Sequence, residues 1–270
     1  LFAQDSYMSD LSLNLNNLHQ VALKAAKAAG VAILNSYNKF EIQYKFDNSL
    51  LTTADLAAND AIYKILSKTQ IPICSEESIL AFDKRDENST FWLIDPLDGT
   101  REFVSRSGEF CVCIALIYHS RPILGVIYSP INDEIFSSFQ GSSIYKNGKI
   151  IDINNRNSLI TGKSQNIDNL DKFAKNFNLN IIEISSAIKF TYLAQGLAGV
   201  FVRLYGSSLW DTAAGDFLLY QSGGIMLSLN DLKPLNYAKK DTLNDNFIAL
   251  SRSQKSNLNS YLNYINQIQK

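Results

Sequence analysis

Apolar residues recur mainly at three- and four-residue steps from Leu11 to about Tyr37, through Leu15, Leu18, Val21, Leu23, Ala25, Ala26, Ala29, Ile33 and Leu34. That spacing predicts one long amphipathic helix. Met8 reads as a natural start, so residues 1–7 are set aside from the fold reading. A second helix is predicted over Thr53–Ser67, where Leu56, Ile62, Ile65 and Leu66 share a face and Thr53 or Asp55 can cap the first turn. Ile71–Cys74 is a short apolar strand that delivers Ser75-Glu76-Glu77 at its carboxyl end, and Phe91–Ile94 is a second strand, with Asp95 at its end. Strand-like runs at Phe110–Tyr118 and Ile123–Tyr128 follow, with further short strands punctuated by Gly141, Asn147 and Gly148. This half predicts helices covering an antiparallel or mixed sheet.

The rhythm changes after about residue 157. Strands at Leu159–Thr161, Ile181–Ile184 and Gly199–Arg203 alternate with helices at Ile167–Phe177, Ser186–Gln195 and Trp210–Ser222, the last stopped by Gly223-Gly224 before Ile225–Leu227. The expected division is an N-terminal α+β unit over 8–157 and a C-terminal α/β unit over 158–270. The tail from Ser251, rich in Asn, Gln and Ser, is expected to fray.

Composition narrows the function classes. A chain of 270 residues that is 46% hydrophobic can bury a large core without disulfides. Its net charge of −1 lacks the excess of positive charge that holds a protein on a nucleic-acid polymer. No apolar run approaches the roughly 20 residues that cross a bilayer, so a cytoplasmic protein is expected, with peripheral contact with the inner membrane as the alternative. Cys74, Cys111 and Cys113 read as buried small hydrophobes in a reducing compartment; Cys111 and Cys113, two apart on one strand, share a face and are poorly placed for a disulfide. His19 and His119 lie far from any acidic motif.

The candidate chemistry is acidic. Asp95 and Asp98, separated by Pro96-Leu97, can be turned with the Leu97 carbonyl toward one point, and Glu76 ends a neighbouring strand. Carboxylates gathered at strand ends hold hard cations for phosphoryl transfer. Gly99-Thr100 then opens a helical turn whose free N–H groups can take a phosphate. Alone, Asp-x-x-Asp-Gly describes a capped acidic turn as readily as a metal site. Asp211, beside Trp210, reads as an N-cap or a metal ligand, and Asp55 as a cap or a catalytic acid.

The order of these pieces resembles the inositol monophosphatase superfamily of magnesium-dependent phosphatases: Thr52-Thr53-Ala54-Asp55, Ser75-Glu76-Glu77-Ser78, Trp92 to Thr100, Gly125 to Pro130, and Trp210-Asp211-Thr212-Ala213-Ala214-Gly215. The likeness runs from about Leu18 to Tyr237. It implies a five-layered αβαβα sandwich of the α/β (α+β) class. It also implies that Glu76, Asp95 and the Leu97 carbonyl hold one Mg2+, and that Asp95, Asp98 and Asp211 hold a second, with a more weakly held third ion beside Glu76. It implies a catalytic set of Asp55, Thr100 and Glu76, in which Asp55 and Thr100 would orient and deprotonate the attacking water, and Gly99 and Thr100 would grip the phosphate.

Arg101-Glu102-Phe103 and Ser107-Gly108-Glu109-Phe110 look most like the bacterial 3'(2'),5'-bisphosphate nucleotidases of CysQ type, where inositol phosphatases continue with Thr-Asn-Phe. That likeness implies a small bisphosphate nucleotide as substrate, adenosine 3',5'-bisphosphate hydrolysed to AMP in sulfur assimilation, by a monomer or homodimer. Lys189 and Arg203 would meet the second phosphate, beside Asp211, and the stretch before Trp210 carries no acid to bind inositol hydroxyls. Two departures stand out: Ser185-Ser186-Ala187-Ile188-Lys189 where such nucleotidases have Gly-Ser-Ser-x-Lys, and Asn230-Asp231-Leu232-Lys233, which lacks a frequent glycine. A phosphatase of inositol or another sugar phosphate, and a catalytically silent nucleotide-binding protein, stay open as alternatives.

Overall fold

A computed structural model describes residues 2–45, 48–163 and 167–268, with side chains described over 14–45, 48–163 and 169–267. In chain order the elements are α1 (Phe2–Ser36), β1 (Ile42–Tyr44), β2 (Leu50–Thr52), α2 (Thr53–Leu66), β3 (Ile73–Ser75), β4 (Thr90–Asp98) and α3 (Thr100–Val104). Then come β5 (Cys111–Tyr118), β6 (Arg121–Ser129), β7 (Glu134–Phe139), β8 (Tyr145–Lys146), β9 (Lys149–Ile150), β10 (Ser158–Thr161), α4 (Ile167–Asn176), β11 (Asn180–Glu183) and α5 (Ile188–Ala194). The chain continues through β12 (Val200–Arg203), α6 (Leu209–Gln221), β13 (Ile225–Ser228), β14 (Phe247–Leu250) and α7 (Leu258–Ile268). Helix α1 runs back through residues set aside in the sequence reading; Leu1 lies outside the described residues.

Strands β3 to β9 form one sheet in sequence order, with β3 parallel to β4 and the rest antiparallel. The second sheet has the order β11-β10-β12-β14-β13. It is mixed: β10 runs parallel to β11 and β12, while β14 is antiparallel to β12 and β13.

Alternation along each strand divides the side chains between layers. On β4, Trp92 and Ile94 join α1 and α2 in one core, whereas Phe91 and Leu93 face a second core. That second core holds α5 and α6 together with Phe201 and Phe247 of the other sheet, and Val200, Val202, Ile248 and Leu250 on its far side pack on Phe173 of α4 and Tyr261 of α7. Three cores separated by two sheets make the αβαβα sandwich. Helix α6 approaches β6 so closely that a Cβ on Gly125 would meet the Ala214 carbonyl oxygen at 2.7 Å.

The polar tail departs from its composition. Leu258, Tyr261, Leu262 and Ile265 keep helical spacing among the amides, and Tyr261 and Ile265 are buried. Tyr261 meets Phe177 edge-on, with ring centroids 4.6 Å apart, and donates to Gln254 Oε1 at 2.7 Å. Side-chain packing therefore orders a segment expected to fray. The glycine-free turn at Asn230–Lys233 is built with Leu232 in the left-handed region, at φ 57°. That conformation is costly for a branched apolar side chain, whereas a glycine adopts it freely.

Candidate functional site

The site begins with a defect in a strand. The β4–β5 ladder pairs Asp95 with Cys113 and Asp98 with Cys111, so three steps on β4 answer two on β5. The sequence reading ends this strand before Asp95; the structure carries it through Asp98 by a bulge at Pro96-Leu97. Residues three apart in a regular strand face opposite ways, and the extra residue turns Asp98 onto the face of Asp95. The Leu97 N–H donates to Asp95 Oδ1 at 3.0 Å, while its side chain is buried against α1 and α2. Beside this bulge, β3 brings up Glu76, whose N–H donates to the Ile94 carbonyl at 3.3 Å.

Gly99 follows at φ 94°, and a side chain there would meet the Glu109 carbonyl oxygen at 3.0 Å. Its left-handed turn starts α3 at Thr100. The Thr100 hydroxyl lies 3.1 Å from Asp55 Oδ1 and 3.2 Å from the Leu97 carbonyl oxygen, so it joins two candidate groups from separate elements.

Asp55 and Asp211 are delivered by one local device. Neither caps its helix. Thr52 is the N-cap of α2 and Ser208 that of α6, which begins at Leu209, one residue before the expected start. Each aspartate sits at the third helical position and accepts the backbone N–H of the cap residue, at 2.8 Å in both cases. The Thr52 hydroxyl adds a bond of 2.5 Å to Asp55 Oδ2.

Carboxylate oxygens of Asp95, Asp98 and Asp211 lie within 4.8 Å of one another. Burial, then Glu76 and the neighbouring aspartates, holds the Asp95 carboxyl well above the ordinary carboxylate range. Burial and Asp98 raise Asp211 to about 8. Asp98 stands at about 6, lifted by burial and held back by Lys189 and the Ala187 N–H. Burial raises Asp55 too, against its bonds from Thr52 and Thr100. So many carboxylates in one buried place repel unless a cation joins them.

A cation of the chain already marks one edge. Lys45 Nζ lies 2.7 Å from Glu76 Oε1 and 2.9 Å from Glu77 Oε1. Although burial opposes the charge, Glu76 and Glu77 hold the Lys45 pKa above its ordinary value. The oxygen-only donor set of Asp95, Asp98 and Asp211 beside this ion pair fits a hard divalent cation. Lys45 was not picked out by sequence reading; a basic residue seven positions before a Thr-Thr-Ala-Asp helix start was the available signal, and only the β1–β2 hairpin folds it back to Glu76.

Two adjoining clefts share Asp98, Gly99 and Asp211. One, of about 420 Å³, is lined by Lys45, Glu76, Asp95, Leu97, Thr100 and Trp210. The other is lined by Arg101, Ser186, Lys189, Phe201, Arg203 and Phe247. Lys189 is buried, donates to the Ser186 carbonyl at 2.5 Å and has its pKa lowered by that burial. Arg203 donates to the carbonyls of Tyr205 and Gly206, both at 3.3 Å. Every residue singled out for catalysis, metal or substrate therefore borders these clefts or bonds to a group that does. Arg101, Phe201 and Phe247 join them without having been singled out.

Phe103, by contrast, is a core anchor, edge-on to Phe110 with centroids 5.3 Å apart. His19 is buried against Phe139, and burial lowers its pKa to about 4. Cys74 is buried. Among the described residues no helix is long and apolar enough to cross a membrane.

The sequence model of the inositol monophosphatase family matches residues 14–270. A protein of Buchnera aphidicola subsp. Acyrthosiphon pisum, named 3'(2'),5'-bisphosphate nucleotidase CysQ, is 36% identical over 226 residues, covering 78% of this chain and 85% of that one. One of the same name from Shigella flexneri is 33% identical over 234 residues, 82% of this chain and 95% of the relative. The crystal structure of CysQ from Bacteroides thetaiotaomicron superposes with a TM-score of 0.78 at 31% identity, covering 89% of this chain and 99% of its own.

Proposed function

Because the chain belongs to the inositol monophosphatase family, we propose that it is a magnesium-dependent 3'(2'),5'-bisphosphate nucleotidase that converts adenosine 3',5'-bisphosphate to AMP and phosphate. The observation that carries this reading is the junction of an acidic cluster, Asp95, Asp98 and Asp211, with a cleft holding Lys189, Arg203 and two phenylalanines.

Glu76, Asp95, Asp98, Asp211 and the Leu97 carbonyl would hold Mg2+, two ions with a third beside Glu76. Bound there, magnesium supplies Lewis-acid charge that activates water and neutralises the phosphoryl group. Asp55 serves as the proton acceptor of the attacking water. Its Oδ2 is engaged by Thr52, so Oδ1 and the Thr100 hydroxyl face the reaction, and Thr100 relays and aligns the proton. The N–H groups of Gly99 and Thr100 bind the transferred phosphate at the start of α3.

The remaining phosphate pairs with Lys189 and Arg203, whose fixed carbonyl partners hold both cations at the cleft wall. Phe201 and Phe247 supply apolar surface for a base. Between Arg203 and Trp210 the chain has no carboxylate to pair with inositol hydroxyls, which weighs against the sugar-phosphate reading.

A substrate panel decides the matter. With Mg2+, phosphate release from adenosine 3',5'-bisphosphate should exceed that from inositol monophosphate, and a chelator should stop both. Turnover of inositol monophosphate alone would overturn the substrate assignment, and turnover undiminished by chelator would overturn the metal.

A further inference from the structure

The face of β4 and β5 that carries Asp98 also carries two thiols. Cys111 and Cys113 pair across from Asp98 and Asp95 on the side of the sheet covered by α5 and α6. Their sulfurs are 3.8 Å apart, and Cys111 Sγ stands 3.7 Å from Asp98 Oδ2. One ligand atom from each of Asp98, Cys111 and Cys113 lies within 4.8 Å of the others.

Those spacings are informative because zinc imposes its own. With Zn–S near 2.3 Å and Zn–O near 2.0–2.2 Å at tetrahedral angles, two thiolates stand about 3.8 Å apart and a thiolate and carboxylate oxygen about 3.6 Å apart. The sulfur–sulfur separation and that between Cys111 Sγ and Asp98 Oδ2 match these values, and the third lies within 4.8 Å. Two thiolates and one carboxylate are a soft donor set, unlike the all-oxygen cluster of Asp95, Asp98 and Asp211. The thiols stand directly behind the cleft wall: Asp98 and Ser186 line the cleft, and Ser186 Oγ lies 3.7 Å from Cys111 Sγ. A disulfide does not account for the pair, since same-strand positions two apart are poorly placed to form one.

We propose that Asp98, Cys111 and Cys113 form a site for a thiophilic divalent ion such as Zn2+ or Cd2+, and that an ion there withdraws Asp98 from the magnesium centre. The two kinds of ion compete for one carboxylate, so zinc lowers activity by a path separate from replacing magnesium among the oxygen ligands. The inhibitory half of this inference rests on the proposed metal-dependent activity; the binding half does not.

The test is a titration of the magnesium-loaded full chain with Cd2+, read by the ultraviolet thiolate-to-cadmium charge-transfer band, without substrate. One ion per chain should develop the band in the wild type. The variant Cys111→Ser/Cys113→Ser, which keeps Cys74, should lose it and retain its phosphatase activity. Its half-inhibiting Zn2+ concentration should rise by at least about tenfold, the least that disturbance of a ligand set costs. Absence of the band in the wild type, or its survival in the double variant, overturns the site. An unchanged zinc midpoint overturns the competition for Asp98. If the double variant does not fold, the wild-type band and its weakening in Cys113→Ala decide the binding.

Discussion

The starts of α2 and α6 place one device in two different surroundings. In each, a carboxylate at the third helical position accepts the backbone N–H of the cap residue, Asp55 from Thr52 and Asp211 from Ser208. Asp55 then spends its other oxygen on the Thr100 hydroxyl. Asp211 instead looks onto Asp95 and Asp98, and burial with Asp98 lifts its carboxyl to about 8. A helix start fixes where a carboxylate stands; its neighbours differ, a hydroxyl for Asp55 and two further carboxylates for Asp211.

The harshest challenge to that contrast removes the acid at the centre of the cluster. Asp95→Asn should cost more than the roughly 10²–10³-fold that a single electrostatic contact supplies, with the fold intact by circular dichroism; near-normal phosphate release would break the metal assignment. Next come the two boxes themselves. Asp55→Asn should lower kcat by about 10²–10⁴-fold, as loss of a general base does, while the Mg2+ concentration for half-activity stays put. Asp211→Asn should instead raise that concentration by about 10–100-fold. Identical behaviour of the two variants in a magnesium titration would erase the distinction.

A gentler probe uses pH on the metal-free chain. Asp98 at about 6 and Asp211 at about 8 both lie above the ordinary 3.8. The folded state therefore binds more protons than the unfolded one between these values. Stability from the pair is complete below about pH 4 and is lost as pH rises through 6 and then 8. Thermal melts without metal should show Asp211→Asn flattening the decline above pH 6 relative to wild type, and added Mg2+ doing the same to the wild type. Parallel pH profiles would count against a strained, cation-seeking cluster. The smallest effect separates the caps: Thr52→Ala should cost about 1–2 kcal/mol in chemical denaturation, and Ser208→Ala less, because the Thr52 hydroxyl also bonds Asp55 at 2.5 Å.

Much of this was readable beforehand where chemistry and periodicity coincide. Asp95 to Thr100 announces a turn, a glycine and a helix start in consecutive residues, and the chain order of Asp55, Glu76 and Asp211 carries the family likeness. Other features depend on pairing rather than on neighbours in sequence. Only the bulge reveals that Asp98 shares a face with Cys111 and Cys113, because a regular strand would send Asp98 the other way. Lys45 becomes a partner of Glu76 only when β1 and β2 close. The two caps were misplaced by one to three residues since a carboxylate serves equally at the cap and at the third position. Helix α7 was hidden because the amides between apolar residues such as Leu258, Tyr261, Leu262 and Ile265 resemble a solvated tail until Phe173 and Phe177 are there to receive them.

Helix α6 has a consequence for how such a chain can vary. Its first turn supplies Asp211 to an acid cluster otherwise built on β4, and its length fills the space between sheets whose strands come from opposite sides of residues 151–157. The wall facing it is shaped to its backbone, down to the missing side chain of Gly125. A chimera joined within 151–157 would have to inherit a matched β6 surface and a matched α6 from two parents at once. Such exchanges between relatives should yield folded, active chains only when the two parents agree at this buried seam, so the sheets descend as a pair even though the chain visits them one after the other.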